Sequence, residues 1–579
     1  MFLPTTLGEL DHLGWDGLDV ILVTGDSYID SPFIGTAVIG KVLLREGYKV
    51  GVIAQPDIHS DEDITRLGEP RLFWGVTGGS TDSMVANYTS LKKKRKNDDY
   101  TPGGNNNRRP DRAVIVYANL IRRYFKRTKP IVLGGIEASL RRIAHYDFWS
   151  DRVRSSILFD AKADYLLYGM AEKAMVQLAD RLRNSSDPRD IRGLCYITGE
   201  HENKRQRLDY LELPSYEMVA EDKGAFVDMF HTFYQNNDAL TAKGLYQKHG
   251  PRYLIHNPPA LPLTQSELDA VYALDFNHSQ HPYYERLGKV RALETIKFAI
   301  PTHRGCYGEC NFCAITVHEG RTVQWRSAES ILLEAQQLTK YPDFKGYIVD
   351  VGGPTANMYG FECSKKLSRG ACLDKRCLYP VVCPSLRADH RHHLELLRKI
   401  RGVEGVKKVF VASGVRYDLL LSDKESGKDY LRELVEHHVS GQMKVAPEHT
   451  EDQVLRKMGK PGTTALVKFK LLFDRMTVEA GKQQFLTYYL IAAHPGCTEE
   501  DMRNLKRFAR STLKMNPEQV QIFLPLPSTY STLMYYTGMD PFTRKPLFVE
   551  KDQVKKERQK NIVVEKRGSR AKYHDPHLD

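Results

Sequence analysis

Apolar and polar positions alternate along the first 200 residues in a strand–helix rhythm. The runs LDVILVTG (18–25) and KVGVIA (49–54) are typical of buried strands, and FIGTAVIGKVLLREGY (33–48) between them has helical spacing. RLFWGVTGG, PIVLGG and ADYLLYG are three more predicted strands. This alternation favours a doubly wound, mostly parallel sheet, so we predict an α/β, Rossmann-like domain over residues 1–200.

The rhythm returns near residue 295, after a less regular stretch (201–290) that we assign as a connector. Six predicted strands alternate with helical stretches: TIKFAI, GYIVDVGG, KKVFVASG, QMKVAPE, LTYYLIAA and VQIFLPLP. Six strand–helix units predict a partial (β/α)6 barrel over 291–545, with its chemistry at the C-terminal strand ends. Apolar periodicity then fades, so 546–579 is predicted to be a basic, flexible tail.

Composition narrows the class of protein. The 579 residues are 41% hydrophobic and 27% charged, which is typical of a soluble globular protein and excludes a collagenous or disordered chain. We find no apolar run near the ~18 residues that a membrane-spanning helix needs, and no signal peptide at the start. We therefore predict a cytoplasmic protein without membrane contact.

The formal net charge of +12 is a mild excess for this length. Many of the basic residues fall in two segments, KKKRK (92–96) with Arg108 and Arg109, and the stretch 551–572. We favour solvated loops and a frayed tail as their interpretation. An RNA or other polyanion contact stays open as the alternative.

Cysteine positions carry the strongest chemical signal, because seven of the nine lie between 306 and 383. Cys306, Cys310 and Cys313 form C-x3-C-x2-C directly after a predicted strand. Three thiolates are one too few for a closed tetrahedral zinc site. A four-iron cluster held by three cysteines keeps one iron open for another ligand, so the spacing favours that centre.

Four further cysteines lie in an insertion at 359–388, after the second barrel strand: Cys363, Cys372, Cys377 and Cys383. Four thiolates can close a zinc site or hold an Fe–S cluster. The spacing is not the paired C-x2-C of a zinc ribbon. An auxiliary Fe–S cluster, zinc and uncoordinated thiols therefore all remain open.

The motif C-x3-C-x-aromatic-C, with Phe312 before the third cysteine, resembles the signature of the radical S-adenosylmethionine (SAM) superfamily. That resemblance implies that Gly352 and Gly353 bind the methionine amino group of SAM. It also implies that Ser413 and Arg416 contact its ribose or carboxylate. The segments KVAPEH and AAHPGCTEEDM are similar to strand ends of the methylthiotransferase-like branch.

The phrases VTGDSYID, VGGPTANMYG, CAITVHEGR and KVAPEHTEDQVL resemble the YgiQ family of radical SAM proteins over almost the whole chain. The resemblance implies a 4Fe–4S cluster that takes an electron from reduced flavodoxin or ferredoxin and cleaves SAM. The resulting 5′-deoxyadenosyl radical would abstract hydrogen from a substrate that the resemblance does not name. Asp350, Glu448 and His449, at predicted strand ends, are the candidate catalytic residues.

The N-terminal sheet raises the question of a bound cobalamin. The N-terminal sheet is similar to cobalamin-binding domains, but D-x-H-x-x-G is missing, because Asp57-Ile58-His59 is followed by Ser60, Asp61 and Glu62. We therefore predict that cobalamin is not bound.

The alternative to a radical SAM enzyme is a protein of another class, a nucleic-acid-binding protein stabilised by zinc or Fe–S, without SAM chemistry.

Overall fold

The structure is a computed structural model of the chain, and it describes residues 1–199 and 209–564. A nine-stranded sheet organises the first half, in the order β10-β11-β12-β9-β8-β5-β4-β1-β3. The strands up to residue 256 are β1 Val20–Thr24, β2 Ile29–Asp30, β3 Val50–Ala54, β4 Phe73–Thr77, β5 Ile131–Gly134, β6 His145–Asp147, β7 Arg152–Arg154, β8 Tyr165–Leu167, β9 Leu194–Gly199, β10 Leu211–Leu213, β11 Leu245–His249 and β12 Arg252–His256.

Five neighbouring strands of this sheet are parallel: β3, β1, β4, β5 and β8. Numbered along the chain, they stand in the order 2-1-3-4-5, which is a doubly wound topology. Leu22 of β1 pairs with Gly75 of β4, which pairs with Val132 of β5. Strand β1 is buried throughout, because helices cover both faces of the sheet. The predicted fold class of the N-terminal half is confirmed.

The sheet extends past the predicted boundary at residue 200. Strands β10, β11 and β12 come from the stretch assigned as a connector, and β12 pairs antiparallel with β9. Their short, mixed sequences carry no clear period, so pattern alone did not separate them from a linker. Residues 200–208 of that stretch lie outside the described residues.

The second half is a barrel of strands and helices in alternation. Its strands are β14 Ala299–Pro301, β15 His303–Arg304, β16 Gln324–Trp325, β17 Tyr347–Ile348, β18 Asp350–Gly352, β19 Lys408–Val409, β20 Gln442–Glu448, β21 Phe485–Ala492 and β22 Gln521–Ile522. The short β13, Ser279–Gln280, pairs with β2 of the first half. Parallel pairing joins β14 to β18, β17 to β19, and β20 to β21 and β22. This is the predicted series of six strand–helix units, and the fold class of the second half is confirmed.

Helices cover both units. Those of the first half are Leu7–His12, Gly35–Arg45, Glu62–Thr65, Ser83–Asn87, Ala113–Tyr124, Gly135–Leu140, Ile157–Ala161, Glu172–Arg183, Tyr216–Glu221, Lys223–Gln235, Gln265–Tyr272, Pro282–Glu285 and Leu293–Ile296. Those of the second half are Ile315–His318, Ala328–Leu338, Ser364–Arg369, Arg391–Arg401, Tyr417–Ser422, Gly427–Glu433, Asp452–Met458, Thr463–Glu479, Glu499–Ser511, Tyr530–Thr537 and Gln553–Val563. None of the helices in the described ranges is long and apolar enough to cross a bilayer.

The predicted flexible tail is wrong for one segment. Residues Gln553–Val563 form a helix that packs on the helix Glu499–Ser511. It buries Gln559 and Lys556 rather than a stripe of apolar side chains, so hydrophobic periodicity gave no signal. Residues 565–579 of the predicted tail lie outside the described residues.

Candidate active site

The three-cysteine loop follows β15, at the carboxyl end of the first barrel strands. Gly305 has a φ of +82°, and a Cβ there would clash with the carbonyl oxygen of Thr322. A Cβ on Gly308 would lie 3.2 Å from Cys306 Sγ and 3.9 Å from Cys310 Sγ. The backbone N–H of Gly308 also donates to Cys306 Sγ at 3.3 Å. The two glycines thus let the loop fold so that the first two thiols face one position.

Burial favours the protonated form of these thiols in the absence of metal. Burial, followed by the nearby Cys310, raises the pKa of Cys306 to about 11. Burial and the same neighbours raise the pKa of Cys313 well above its ordinary value. Buried thiols that repel each other as thiolates need a positive centre to ionise. Three converging thiols with no fourth ligand fit a 4Fe–4S cluster that keeps one iron open.

A single metal ion fits less well. Among residues 1–199 and 209–564, no three His, Cys, Asp or Glu side chains are arranged as ligands of one ion. Zinc requires its ligands at about 2.0–2.3 Å from one point, whereas a four-iron cluster places its thiolates on separate iron atoms.

Arg416 lies over the loop. Its Nη1 is 3.7 Å from Cys310 Sγ, and its Nε and Nη2 donate to the two carboxylate oxygens of Asp418 at 2.8 and 2.6 Å. Burial is the largest single influence on Asp418 and opposes its charged form, but the charge and hydrogen bonds of Arg416, with Lys460, together outweigh it, so the pKa of Asp418 lies below its ordinary value. Asn357 holds the backbone N–H of Arg416 at 2.8 Å. The guanidinium is therefore fixed beside the thiol of Cys310, whereas the sequence predicted a contact of Arg416 with SAM.

The predicted SAM-binding residues at the next two strand ends do meet. A Cβ on Gly352 would lie 3.2 Å from Ser413 Oγ, and a Cβ on Gly353 would lie 2.7 Å from the ring of His303. Asp350 accepts hydrogen bonds from the hydroxyl of Ser413 and from the N–H groups of Ala412 and Ser413. Asp350 therefore joins two strand ends, which is a positioning contact.

Glu448 and His449, neighbours in sequence, face different surroundings. The register of β20 shifts between Val445 and Glu448, and Glu448 has a φ of +70°. Burial raises the pKa of Glu448, and its charge in turn raises that of Cys313, so Glu448 lies on the cluster side. His449 Nε2 instead lies 3.6 Å from Cys497 Sγ, and burial lowers the pKa of His449 to about 4.

Phe312 points toward the far strand ends. Its ring centre is 6.4 Å from that of His494, in an edge-to-face arrangement. His494 follows β21, so the aromatic side chain before the third cysteine reaches across the barrel mouth.

The four cysteines of the insertion lie together. Cys363, Cys372, Cys377 and Cys383 all line one cavity of about 40 Å³. The cationic side chains around that cavity are Lys365, Lys366, Lys375 and Arg376. Burial raises the pKa of Cys377 to about 12, and Lys366 acts in the opposite direction. The surrounding cations favour thiolates, but the four cysteines, like the other described residues, are not arranged as ligands of a single metal ion.

A larger cavity, of about 470 Å³, lies between the sheet and the barrel. It is lined on one side by Asp26, Gly79 and Ser80, which follow β1 and β4, and on the other by His303 and Gly353. Sequence reasoning flagged neither His303 nor Glu172, which also lines it. The sequence did single out Asp350, Gly352, Gly353 and Ser413, which line the barrel side of the cavity. On the sheet side, the glycine turns after β1 and β4 gave little signal, because such turns are common after strands.

A barrel with three cysteines on the loop after its first strand defines the class of radical SAM enzymes. The family described as "Radical SAM superfamily" matches residues 300–509, and "Radical SAM N-terminal" matches residues 2–299. The chain therefore belongs to the radical SAM superfamily and, within it, to the UPF0313 proteins, the YgiQ-like family that the sequence predicted.

Several relatives share nearly the whole chain. A UPF0313 protein of Fusobacterium nucleatum is 57% identical and covers 98% of this chain and 100% of its own. One from Thermotoga maritima is 48% identical over 98% of this chain and 99% of its own. Among solved structures, the radical SAM methyltransferase TsrM of Kitasatospora setae, with tryptophan substrate and a SAM analogue, has a TM-score of 0.47 at 14% identity, covering 88% of this chain and 75% of its own. OxsB, with aqua-cobalamin and SAM bound, has a TM-score of 0.49 at 12% identity, covering 96% of this chain and 59% of its own.

Family membership confirms three predictions. The chain is a radical SAM enzyme, the family implies a 4Fe–4S cluster and SAM as its cofactors, and the chemistry requires an electron donor.

Proposed function

We propose that this enzyme holds a 4Fe–4S cluster on Cys306, Cys310 and Cys313 and uses it to cleave SAM reductively. When bound, the cluster and SAM supply one-electron cleavage to methionine and a 5′-deoxyadenosyl radical, which takes a hydrogen atom from the substrate. The observation that carries the proposal is that Cys306 and Cys310 face one position beside the guanidinium of Arg416, with Cys313 on the same short loop.

The chain's own residues have separable roles in this proposal. Arg416 offsets negative charge at Cys310. Gly352 and Gly353 pack closely against Ser413 and His303 and line the large cavity, where the methionine end of SAM would lie. Glu448, whose Oε1 lies 3.9 Å from Lys460 Nζ and whose pKa is raised by burial, places a carboxyl group at the end of β20.

The electron donor and the location are also part of the proposal. Reduced flavodoxin or ferredoxin supplies the electron in the cytoplasm, where thiols stay reduced. Nine free cysteines, with no disulfide among the described residues, are compatible with that compartment.

At the insertion, we propose an auxiliary Fe–S cluster on Cys363, Cys372, Cys377 and Cys383, with zinc as the alternative. The shared cavity and its four cationic neighbours support a centre of anionic thiolates. Cobalamin is not part of the proposed function. His59, the histidine of the incomplete D-x-H-x-x-G sequence, is exposed and does not line the large cavity.

The test is anaerobic reconstitution followed by assay of iron and of 5′-deoxyadenosine with dithionite. We expect about eight iron atoms per chain if both centres are clusters, and about four fewer after Cys306, Cys310 and Cys313 are changed to Ala. That variant should form no 5′-deoxyadenosine, whereas Cys195→Ala, in the sheet core, should match the parent protein. Zinc in place of iron, with no SAM cleavage, would favour the nucleic-acid-binding alternative.

A further inference from the structure

A chain of buried hydrogen bonds ends at Arg416, whose guanidinium lies beside Cys310. Asn357, in the turn Ala356–Met358 after β18, bonds twice to the backbone of Arg416. Its Oδ1 accepts from the N–H at 2.8 Å, and its Nδ2 donates to the carbonyl at 3.1 Å. Asn357 is fully buried, so these bonds form in a medium of low dielectric constant. Arg416 is therefore held at its backbone by Asn357 and at its guanidinium by Asp418.

Both bonds require the Asn357 amide in one orientation. If the amide turned over, its NH2 group would face the N–H of Arg416 and its oxygen would face the carbonyl, so that donor met donor and acceptor met acceptor. The Nδ2 of Asn357 also lies 3.1 Å from Nε2 of His390. An acceptor at that position favours the orientation that holds Arg416.

The tautomer of His390 decides whether Nε2 accepts. His390 precedes the helix Arg391–Arg401, and its Nδ1 lies 2.8 Å from Oδ2 of Asp423. Burial is the largest single influence on Asp423 and favours its neutral form. Hydrogen bonds from His390 and Ser426 together outweigh burial, so the pKa of Asp423 lies below its ordinary value. An ionised carboxylate only accepts hydrogen bonds, so neutral His390 carries its proton on Nδ1, and its Nε2 accepts from Asn357.

Packing keeps the His390 ring in this orientation. The ring stacks on Tyr430, with ring centres 4.8 Å apart, and meets Phe361 edge to face at 5.6 Å. His390 is fully buried, and its backbone N–H also donates to Asp423 at 2.9 Å. Rotation of the ring would break its bonds to Asp423 and Asn357 together.

We propose that His390 is a positioning residue for the 4Fe–4S cluster. Held by Asp423, it orients the amide of Asn357. That amide in turn fixes the guanidinium of Arg416 beside Cys310. This inference rests on the proposed cluster and adds a residue that tunes its reduction potential through Arg416. A cation fixed beside a cluster thiolate stabilises the more negative, reduced cluster, so a loosened Arg416 favours the oxidised one.

Two amide side chains separate the roles of the two ring nitrogens. In His390→Asn the amide replaces Nδ1, so it bonds to Asp423 but is too short to reach Asn357. In His390→Gln the amide replaces Nε2, so its oxygen accepts from Asn357. At the midpoint potential of the parent protein, we expect His390→Asn to lower the ratio of reduced to oxidised cluster at least about threefold. His390→Gln should stay within about 1.5-fold of the parent ratio. Redox titration followed by electron paramagnetic resonance measures both.

A double variant tests whether His390 acts through Arg416. In an Arg416→Met background, His390→Asn should cause no further change in the ratio, because residues that act as a unit are not additive. The matched control is His393→Asn. His393 is also fully buried, lies on the helix Arg391–Arg401, and has its Nδ1 2.9 Å from the hydroxyl of Tyr430. We expect this control to lower the melting temperature and to leave the ratio unchanged.

Asp423→Asn provides a second route if His390→Asn does not fold. The amide no longer dictates the tautomer of His390, so the ratio should fall in the same direction. Circular dichroism checks that each variant folds. An unchanged ratio in the folded His390→Asn or Asp423→Asn variant, an equal fall in His390→Gln or His393→Asn, or a further fall in the Arg416→Met background would overturn the inference. These results leave the proposed function intact, whereas a parent protein that assembles no Fe–S cluster overturns the proposed function and this inference with it.

Discussion

At the scale of single residues, the contact between Arg416 and Cys310 has a measurable electronic consequence. A cation that donates a hydrogen bond to a cluster thiolate stabilises the more negative, reduced cluster and raises its reduction potential. Here the guanidinium is 3.7 Å from the thiol and is held by Asp418, while Asn357 Oδ1 accepts from the backbone N–H of Arg416.

We therefore expect Arg416→Met to lower the midpoint potential of the SAM cluster by about 60 mV or more, because hydrogen bonds to charged groups contribute about 1.5–3 kcal/mol. Redox titration followed by electron paramagnetic resonance measures the shift. Arg416→Lys keeps the positive charge, so its midpoint potential should lie between those of the parent protein and Arg416→Met. A potential that does not move in Arg416→Met would show that the guanidinium does not act on the cluster.

Residue roles were predicted unevenly from the sequence. The positions of Cys306, Cys310 and Cys313 follow from spacing alone, because a short loop forces its ligands together. Spacing does not predict that Glu448 and His449 face different surroundings, because that difference depends on a register shift in β20. The position of Arg416 depends on its pairing with Asp418, two residues later, and strand-end position gave no sign of that pairing.

At the scale of secondary structure elements, the C-terminal helix Gln553–Val563 stabilises the barrel through polar contacts. Gln559 is fully buried; its Oε1 accepts from the N–H of Ala493 at 3.0 Å, and its Nε2 donates to the carbonyl of Cys497 at 3.2 Å. Lys556 donates to the hydroxyl of Tyr535 at 2.8 Å. The helix thus fixes the turn that follows β21.

We expect Gln559→Ala to lower the free energy of unfolding by about 2 kcal/mol, because it leaves two buried backbone groups without partners. The control is Arg558→Ala on the same helix, whose ion pair with Glu499 is exposed and should contribute under about 1 kcal/mol. Thermal unfolding followed by circular dichroism compares the two variants. If Gln559→Ala melts no earlier than Arg558→Ala, the helix does not stabilise the barrel in this way.

The elements that the sequence predicted well are the long apolar ones. Strands β1 and β21 and the helix Gly35–Arg45 have strong patterns and lie where they were expected. Strands β10–β12 and the C-terminal helix were missed because neither carries a clear hydrophobic period. Tertiary pairing, rather than local pattern, determines those elements.

At the scale of the whole molecule, the two halves are joined by a buried ion pair. Glu172 begins a helix of the sheet domain, and Arg304 lies in β15, two residues before Cys306. The guanidinium of Arg304 pairs with Glu172 and also donates to the hydroxyl of Tyr272 at 3.0 Å. The orientation of the cysteine loop relative to the sheet therefore depends on a contact between the halves.

Removing one partner of such a pair leaves an uncompensated buried charge, which costs about 3–5 kcal/mol. We expect Glu172→Gln to lower the melting temperature strongly and to make the segment joining the two halves more sensitive to trypsin. Lys173→Met is the matched control, since Lys173 pairs with Glu267 through side chains that are 53% and 38% exposed and should contribute under about 1 kcal/mol. Replacing both partners, Glu172→Met with Arg304→Met, removes both charges and should recover much of the lost stability. If the melting temperature of Glu172→Gln equals that of Lys173→Met, the ion pair does not hold the two halves together. The same conclusion follows if the double variant Glu172→Met with Arg304→Met melts at a lower temperature than Glu172→Gln.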